Sequence, residues 1–298
     1  MKKVFMLSLV LMLAVMSQAQ TAVKVAPTMK KGDVRVYKTE VVTSASQEIK
    51  VSTEIRYTVA DATASGYVLL VETTSYDTTA PGNDLATRLL TMSDQLLRGS
   101  CIRIATDKEG KPLSILNADE IRRQAAALAD KTYDEFSGSM PELQQLMSKQ
   151  AFLQQMQSMM TDENILALVA KTTSPLALNG ISVTTGAQDY YKNMGMKMKR
   201  RYEVKGTDIV TNSTMEMSKE EMKQFVIATA EKMAPAQAEM IRQNIDFVIS
   251  SGMLKFEMNE HATYQLQDDG WVKSIKAETN SNMMGQTSRS ITTTTLQL

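Results

Sequence analysis

Between Ile49 and Val59 the chain alternates with a period of two. Ile49, Val51, Thr53, Ile55, Tyr57 and Val59 fall on one side, and Lys50, Ser52, Glu54, Arg56 and Thr58 on the other. Such alternation buries one face of a strand and wets the other. Asp33 to Thr43 reads the same way, and so does Gly66 to Tyr76 after a small-polar turn at Asp61 to Ser65. Three strands with short links predict an antiparallel meander. Helical spacing follows over Asp84 to Leu97 (Leu85, Leu89, Met92, Leu96, Leu97), then a hairpin with Ile102 to Thr106 as its first arm and a second strand ending at Leu116.

The middle of the chain predicts helices. One runs from about Asn117 to Tyr133 and is broken at Ser137-Gly138; Ser139-Met140-Pro141-Glu142 caps the next, with Leu143, Leu146, Met147, Leu153, Met156 and Met160 as its apolar stripe. A shorter helix, Asp162 to Ala170, stops before Ser174-Pro175. The second half repeats the sequence of classes. Strands at Met196 to Val204 and Asp208 to Met217 precede a capping box, Ser218-Lys219-Glu220-Glu221. The helix it opens carries Met222, Phe225, Val226 and Met233, is interrupted at Pro235, and resumes through Met240, Ile241, Ile245 and Val248 to Gly252. Strands at Leu254 to Leu266, Trp271 to Thr279 and Thr287 to Leu298 close the chain. The pattern predicts an α+β fold: a curved, mainly antiparallel sheet of N- and C-terminal meanders packed against amphipathic helices. Gly110-Lys111-Pro112-Leu113-Ser114-Ile115 is echoed by Gly270-Trp271-Val272-Lys273-Ser274-Ile275. The expected organisation is one domain over 20–298, with a division into two similar halves near 174–180 as the alternative.

Met1-Lys2-Lys3, an apolar run from Val4 to Met16 and a small-x-small exit at Ser17-Gln18-Ala19 form a secretory signal with cleavage expected after Ala19. The run is shorter than the roughly 20 residues that span a bilayer. The only cysteine is Cys101, so no thiol follows the cut to carry a lipid, and the mature protein is expected free in the periplasm or outside the cell. Its remaining length can bury about three quarters of the surface of the unfolded chain without disulfide or metal. Acidic and basic side chains balance at 33 each, which offers nucleic acid and anionic membranes no attraction. The basic run Lys197 to Arg201 is read as a solvated strand face or a covered sheet edge.

Candidate chemistry is sparse. His261 is the only histidine and lacks nucleophile-elbow glycines, and one histidine with one cysteine cannot build a usual zinc site. Phosphate-cradling and calcium loops are missing from the sequence. Paired carboxylates remain open, but the single tryptophan suits a sugar cleft poorly. No catalytic, metal or cofactor-binding residue and no cofactor is therefore predicted. Of 23 methionines, Met194-Gly195-Met196-Lys197-Met198 and Met215-Glu216-Met217 have the spacing of thioether ligands for Cu(I) and, equally, of a methionine-filled strand face; the second reading is preferred. Asp77-Thr78-Thr79 matches a short O-glycosylation acceptor centred on Thr78, and Asn212-Ser213-Thr214 an N-glycan sequon.

Met29-Lys30-Lys31-Gly32-Asp33, Tyr37 and the strands after it, with the ending Asp269-Gly270-Trp271-Val272-Lys273-Ser274, Met283-Met284-Gly285-Gln286 and a threonine-rich last strand, resemble an uncharacterised family of exported proteins and lipoproteins from gut-type Gram-negative bacteria. The resemblance covers both ends of the mature chain, and its motifs are turns and strand starts. It implies export but transfers no activity. The layout is also similar, by analogy of fold, to periplasmic lipoprotein carriers, whose curved sheet surrounds helices and an apolar cavity. The expected function is a non-enzymatic periplasmic or secreted binding protein for an apolar, lipid-like ligand or a protein partner. A structural cell-envelope protein with a packed core is the alternative, and a hydrolase is less favoured.

Overall fold

A computed structural model describes residues 22–45, 47–79, 100–139, 148–193, 196–233, 235–250, 256–283 and 285–297. The leader with Ala19, the predicted helix 84–97, the capping box at 139–142 and Met194-Gly195 lie outside the described residues or their described side chains. The strands are β1 (Val23–Lys24), β2 (Val34–Ser44), β3 (Glu48–Thr63), β4 (Gly66–Thr79), β5 (Cys101–Thr106), β6 (Pro112–Ile115), β7 (Ser182–Val183), β8 (Gln188–Asn193), β9 (Met196–Lys205), β10 (Asp208–Met215), β11 (Phe256–Leu266), β12 (Val272–Met283) and β13 (Gln286–Gln297). The helices are α1 (Ala118–Ser139), α2 (Lys149–Met159) and α3 (Asp162–Val169) between β6 and β7, and α4 (Lys219–Met233) and α5 (Pro235–Ser250) between β10 and β11.

Eleven strands form one antiparallel sheet in the order β6-β5-β4-β3-β2-β13-β12-β11-β10-β9-β8. The expected α+β balance is thereby corrected. The protein is mainly β, 50% strand against 27% helix, and its sheet is not closed into a barrel. Segment counting misjudged it because the strands run long. β3 continues to Thr63, β4 to Thr79, and β8 is strand although Gln188 to Asn193 shows no apolar alternation. Ser137 and Gly138 do not break α1 either. They occupy its last turn, where Ser137 Oγ donates to Asp134 O at 3.2 Å.

Pairing of β2 with β13, from Arg289 opposite Ser44 to Gln297 opposite Val36, joins the two meanders. In the two hairpins that carry the echoed sequence the same pairs face each other: Ile104 with Ile115 and Ala105 with Ser114, Tyr264 with Ile275 and Gln265 with Ser274. Each then slips register at the next position, Thr106 pairing with Pro112 and Leu266 with Val272.

The sheet is concave, and its hydrogen bonds show it. β3 and β11 stand four strand spacings apart, about 19 Å on a flat sheet. Yet Tyr57 reaches Ser174, while Tyr264 Oη donates to Thr172 O at 2.7 Å and Thr294 Oγ1 to Thr173 O at 3.0 Å. Three successive residues span at most about 7 Å, so the strands must curl around them. The segment between α3 and β7 is therefore a strap laid across the concave face, with Leu176, Leu178 and Asn179 buried.

The strap meets the chain's start. Val25 N donates to Ile181 O at 3.0 Å and Gly180 N to Val25 O at 2.8 Å. Residues 26–28 then run against the β11–β12 turn, where Gly270 sits at φ +82°; a Cβ there would lie 2.8 Å from Ala26 O. Trp271 and Tyr37 are buried beside it, and Tyr37 Oη donates to Val272 O at 2.6 Å. This half of the concave face is a packed core in two clusters, one around Tyr37, Leu69, Ile104 and Trp271, the other around Ile209, Tyr264 and Ile275. The convex face is wet and carries ion pairs such as Arg56–Glu72 at 3.2 Å and Arg289–Glu278 at 2.9 Å.

Candidate ligand site

Cross-strand register sets Asp189, Arg200, Ser213 and Glu260 side by side on β8, β9, β10 and β11. All four point into the concave face, next to the packed half. Arg200 Nε and Nη2 donate to the two Asp189 oxygens at 2.9 and 2.7 Å, and Tyr202 Oη donates to Asp189 Oδ2 at 2.8 Å. The guanidinium lies 5.0 Å from the Tyr191 ring centroid and 4.9 Å from that of Tyr202, within cation–π range. Tyr191 Oη donates to Glu260 Oε1 at 2.9 Å. Burial lifts the Glu260 carboxyl above its usual range. The Tyr191 hydroxyl is pushed up to about 12 by burial and then by the Glu260 charge.

This network is buried at its centre and open at its edge: Arg200 and Glu260 are 5% and 6% exposed, while the Asp189 side chain is 35% exposed. The pleat explains why sequence reading missed it. In β9 the residues Met196, Met198, Arg200 and Tyr202 share the inner face, so Arg200 turns inward between core residues while Lys197, Lys199 and Arg201 turn out. The solvated-face reading of the basic run holds for three of its four charges and fails for Arg200. A charge in phase with Met198 and Tyr202 is the signal that period two offered.

The singled-out residues do not converge. His261 lies on the exposed face of β11, its Nδ1 2.8 Å from Asn212 Oδ1; Glu278, opposite it, is held by Arg289 at 2.9 and 3.0 Å. Thr78 is in β4 opposite Val51, inside a strand rather than a turn, and its hydroxyl is buried without a partner. Cys101 begins β5, half-buried, its thiol pushed up by burial and then by Glu72. Asn212, Ser213 and Thr214 lie inside β10.

Methionine forms a seam. Met196, Met198 and Met258 make a buried cluster with Met215, Met217 and Tyr191 around it. Met215 also belongs to the adjoining cluster in which Val226 of α4 and Ile245 of α5 meet Phe256. The α4–α5 hairpin thus rests on flexible, polarizable side chains.

Two clefts open on the helical side. One, of about 270 Å³, lies between α3 and the strap, lined by Leu166, Ala170, Leu176 and Ile181 with Pro112. The other, of about 340 Å³, lies between α1 and α2, lined by Arg122, Arg123, Ala125, Ala126, Met156 and Met160. The second is clamped at both ends. At one end Lys149 bridges Asp130 and Asp134 at 2.9 and 2.8 Å, and Tyr133 meets Phe152 with ring centroids 5.6 Å apart. At the other, Arg122 pairs with Asp119 and Asp162 and donates to Met160 O at 3.1 Å. Between the clamps, alanines face methionines and leave space. A third hollow, of about 420 Å³, is open and polar, at the ends of β11–β13 around Glu257, Asn259, Asn280 and Arg289.

Among the described residues no group of three or more His, Cys, Asp or Glu could hold a metal ion, and no helix is long and apolar enough to cross a membrane. No family model and no curated protein matches the chain. Among solved structures, one of lipid–protein interactions in lipovitellin aligns with 91% of this chain at 10% identity and a TM-score of 0.42, this chain spanning about a quarter (26%) of that one. A porin-like protein from Bacteroides uniformis aligns with 92% of this chain and 98% of its own, at 10% identity and a TM-score of 0.20. Likenesses of this strength carry no argument about fold or ligand.

Proposed function

We propose that the protein is a non-enzymatic binding protein that works after export, in the periplasm or outside the cell, and holds an apolar, lipid-like ligand on the helical side of its sheet. The observation that carries this reading is the 340 Å³ cleft between α1 and α2, apolar in its floor and bounded by polar clamps. Its volume lies at the lower end of the roughly 300 to 1,000 Å³ typical of ligand sites, which suits one slender chain. Native mass spectrometry of the protein purified from its own host tests the reading. Bound lipid-sized mass, released on denaturation, is expected; no bound mass and no uptake of an apolar dye refute it. A second reading, a structural envelope protein, is favoured by the strap, which fills the apolar half of the concave face with the chain's own Leu176 and Leu178. That reading gains if the dye is excluded.

A further inference from the structure

We infer that the α1–α2 cleft takes a single-chain amphiphile with an anionic head, a fatty carboxylate, and that Arg123 holds the head. This rests on the proposed function and narrows it to one ligand class and one anchor. The cleft's floor is Ala125, Ala126, Met156 and Met160, with Gln157 as the one polar uncharged side chain of the lining, so a chain laid there meets mostly apolar side chains and aliphatic stems. Its capacity of about 340 Å³ admits one acyl chain.

The mouth carries the charge. Arg122 is spent, held by Asp119, Asp162 and Met160 O in the clamp. Arg123, exposed at the rim, makes no ion pair or side-chain hydrogen bond among the described residues. The nearest carboxylate one turn back, Glu120, accepts from Asn117 Nδ2 at 3.3 Å and Gln124 Nε2 at 3.4 Å. The lining thus offers one uncommitted guanidinium beside an apolar slot, and guanidinium matches a carboxylate through two parallel hydrogen bonds. The width of the cleft is set by the clamps, and its floor is built from alanines too short to fill it.

The test uses the exported protein and displacement of the neutral dye N-phenyl-1-naphthylamine by dodecanoate and by dodecanol. Dodecanoate should displace the dye more tightly than dodecanol. Arg123→Gln should weaken dodecanoate about three- to fivefold, as befits an exposed ion pair, with the loss shrinking in high salt and dodecanol unchanged. Ala126→Leu, which fills the cleft, should abolish binding of both, with circular dichroism confirming the fold. Equal effects of Arg123→Gln on acid and alcohol overturn the anionic head and leave the proposed function standing. Undiminished binding to a folded Ala126→Leu places the ligand elsewhere and overturns the site. Failure of dye and both amphiphiles to bind the unaltered protein removes the proposed function as well.

Discussion

Replacing Asp189 with alanine isolates the energetics of the buried charge row. The change removes both acceptors of Arg200 and the acceptor of Tyr202, at 2.9, 2.7 and 2.8 Å. It strands a guanidinium whose side chain is 7% exposed. Breaking a buried pair from one side costs about 3 to 5 kcal/mol. Two features reduce that here: the Asp189 side chain is 35% exposed, so water partly screens the pair, and the Tyr191 and Tyr202 rings still flank the cation. A loss of about 2 to 3 kcal/mol is expected, equivalent to a fall in melting temperature of about 4 to 10 °C for a chain of this size. Urea unfolding followed by circular dichroism measures it. The double variant Asp189→Ala with Arg200→Met no longer buries a lone charge and should recover at least half the loss. A single variant within about 0.5 kcal/mol of the parent, or a double variant no more stable than the single, would refute the assignment of Arg200 to the interior.

Three further expectations follow from the same geometry. Native Glu260 titrates above an unfolded glutamate because it is desolvated, so its contribution to stability is complete below the unfolded pKa and is lost as pH rises through the folded one. Glu260→Gln, which still accepts from Tyr191, should therefore gain on the parent as pH rises above the ordinary glutamate value of about 4.3, and a stability difference that stays flat from there to neutrality contradicts the desolvation. Gly270→Ala forces a left-handed conformation, worth about 1 to 2 kcal/mol, and drives a Cβ against the backbone of residues 26 and 27. It should cost about 2 to 3 kcal/mol and expose residues 22–29 to protease first; uniform resistance to cleavage would show the N-terminal segment undocked. Cys101, its thiol raised by burial and Glu72, should be alkylated at about pH 8 more slowly in the native protein than in urea, and equal rates would place it in open solvent.

Legibility followed periodicity. The meander of β2, β3 and β4 was readable because the outer face of β3 is charged or hydroxylated from Lys50 to Thr58 and the inner face of the three strands is apolar at Tyr37, Ile55, Tyr57, Val59, Leu69 and Val71. The capping box was readable because it is local: Ser218 N donates to Glu221 Oε2 at 2.8 Å and Glu221 N to Ser218 Oγ at 3.2 Å. β8 was not, because its inward residues are Asp189, Tyr191 and Asn193, whose reason to face inward is Arg200, Glu260 and Met258 on other strands. The two-residue β1 and β7 have no signal of their own. They exist because the strap brings Val183 back to Val23.

The candidate ligand site shows the same division. Ala125, Ala126, Met156 and Met160 are apolar helix residues in any sequence reading, and nothing local distinguishes a filled seam from an open one. What opens it is the separation fixed by Lys149 at one end and Arg122 at the other, contacts formed between residues 15 and 40 positions apart.

By itself the sequence determined the local elements and which face of each was apolar, because steric alternation and capping act over a few residues. It also set the expectation of export with cleavage after Ala19. The tertiary structure alone decided that the long strands join in one eleven-stranded sheet, that this sheet curls around residues 172–174, and that Arg200 is interior rather than wet. Those outcomes depend on pairing between residues far apart in the chain, from β2 with β13 to Tyr264 with Thr172. No periodicity encodes a partner 92 or more residues away; only the geometry that brings the two together does.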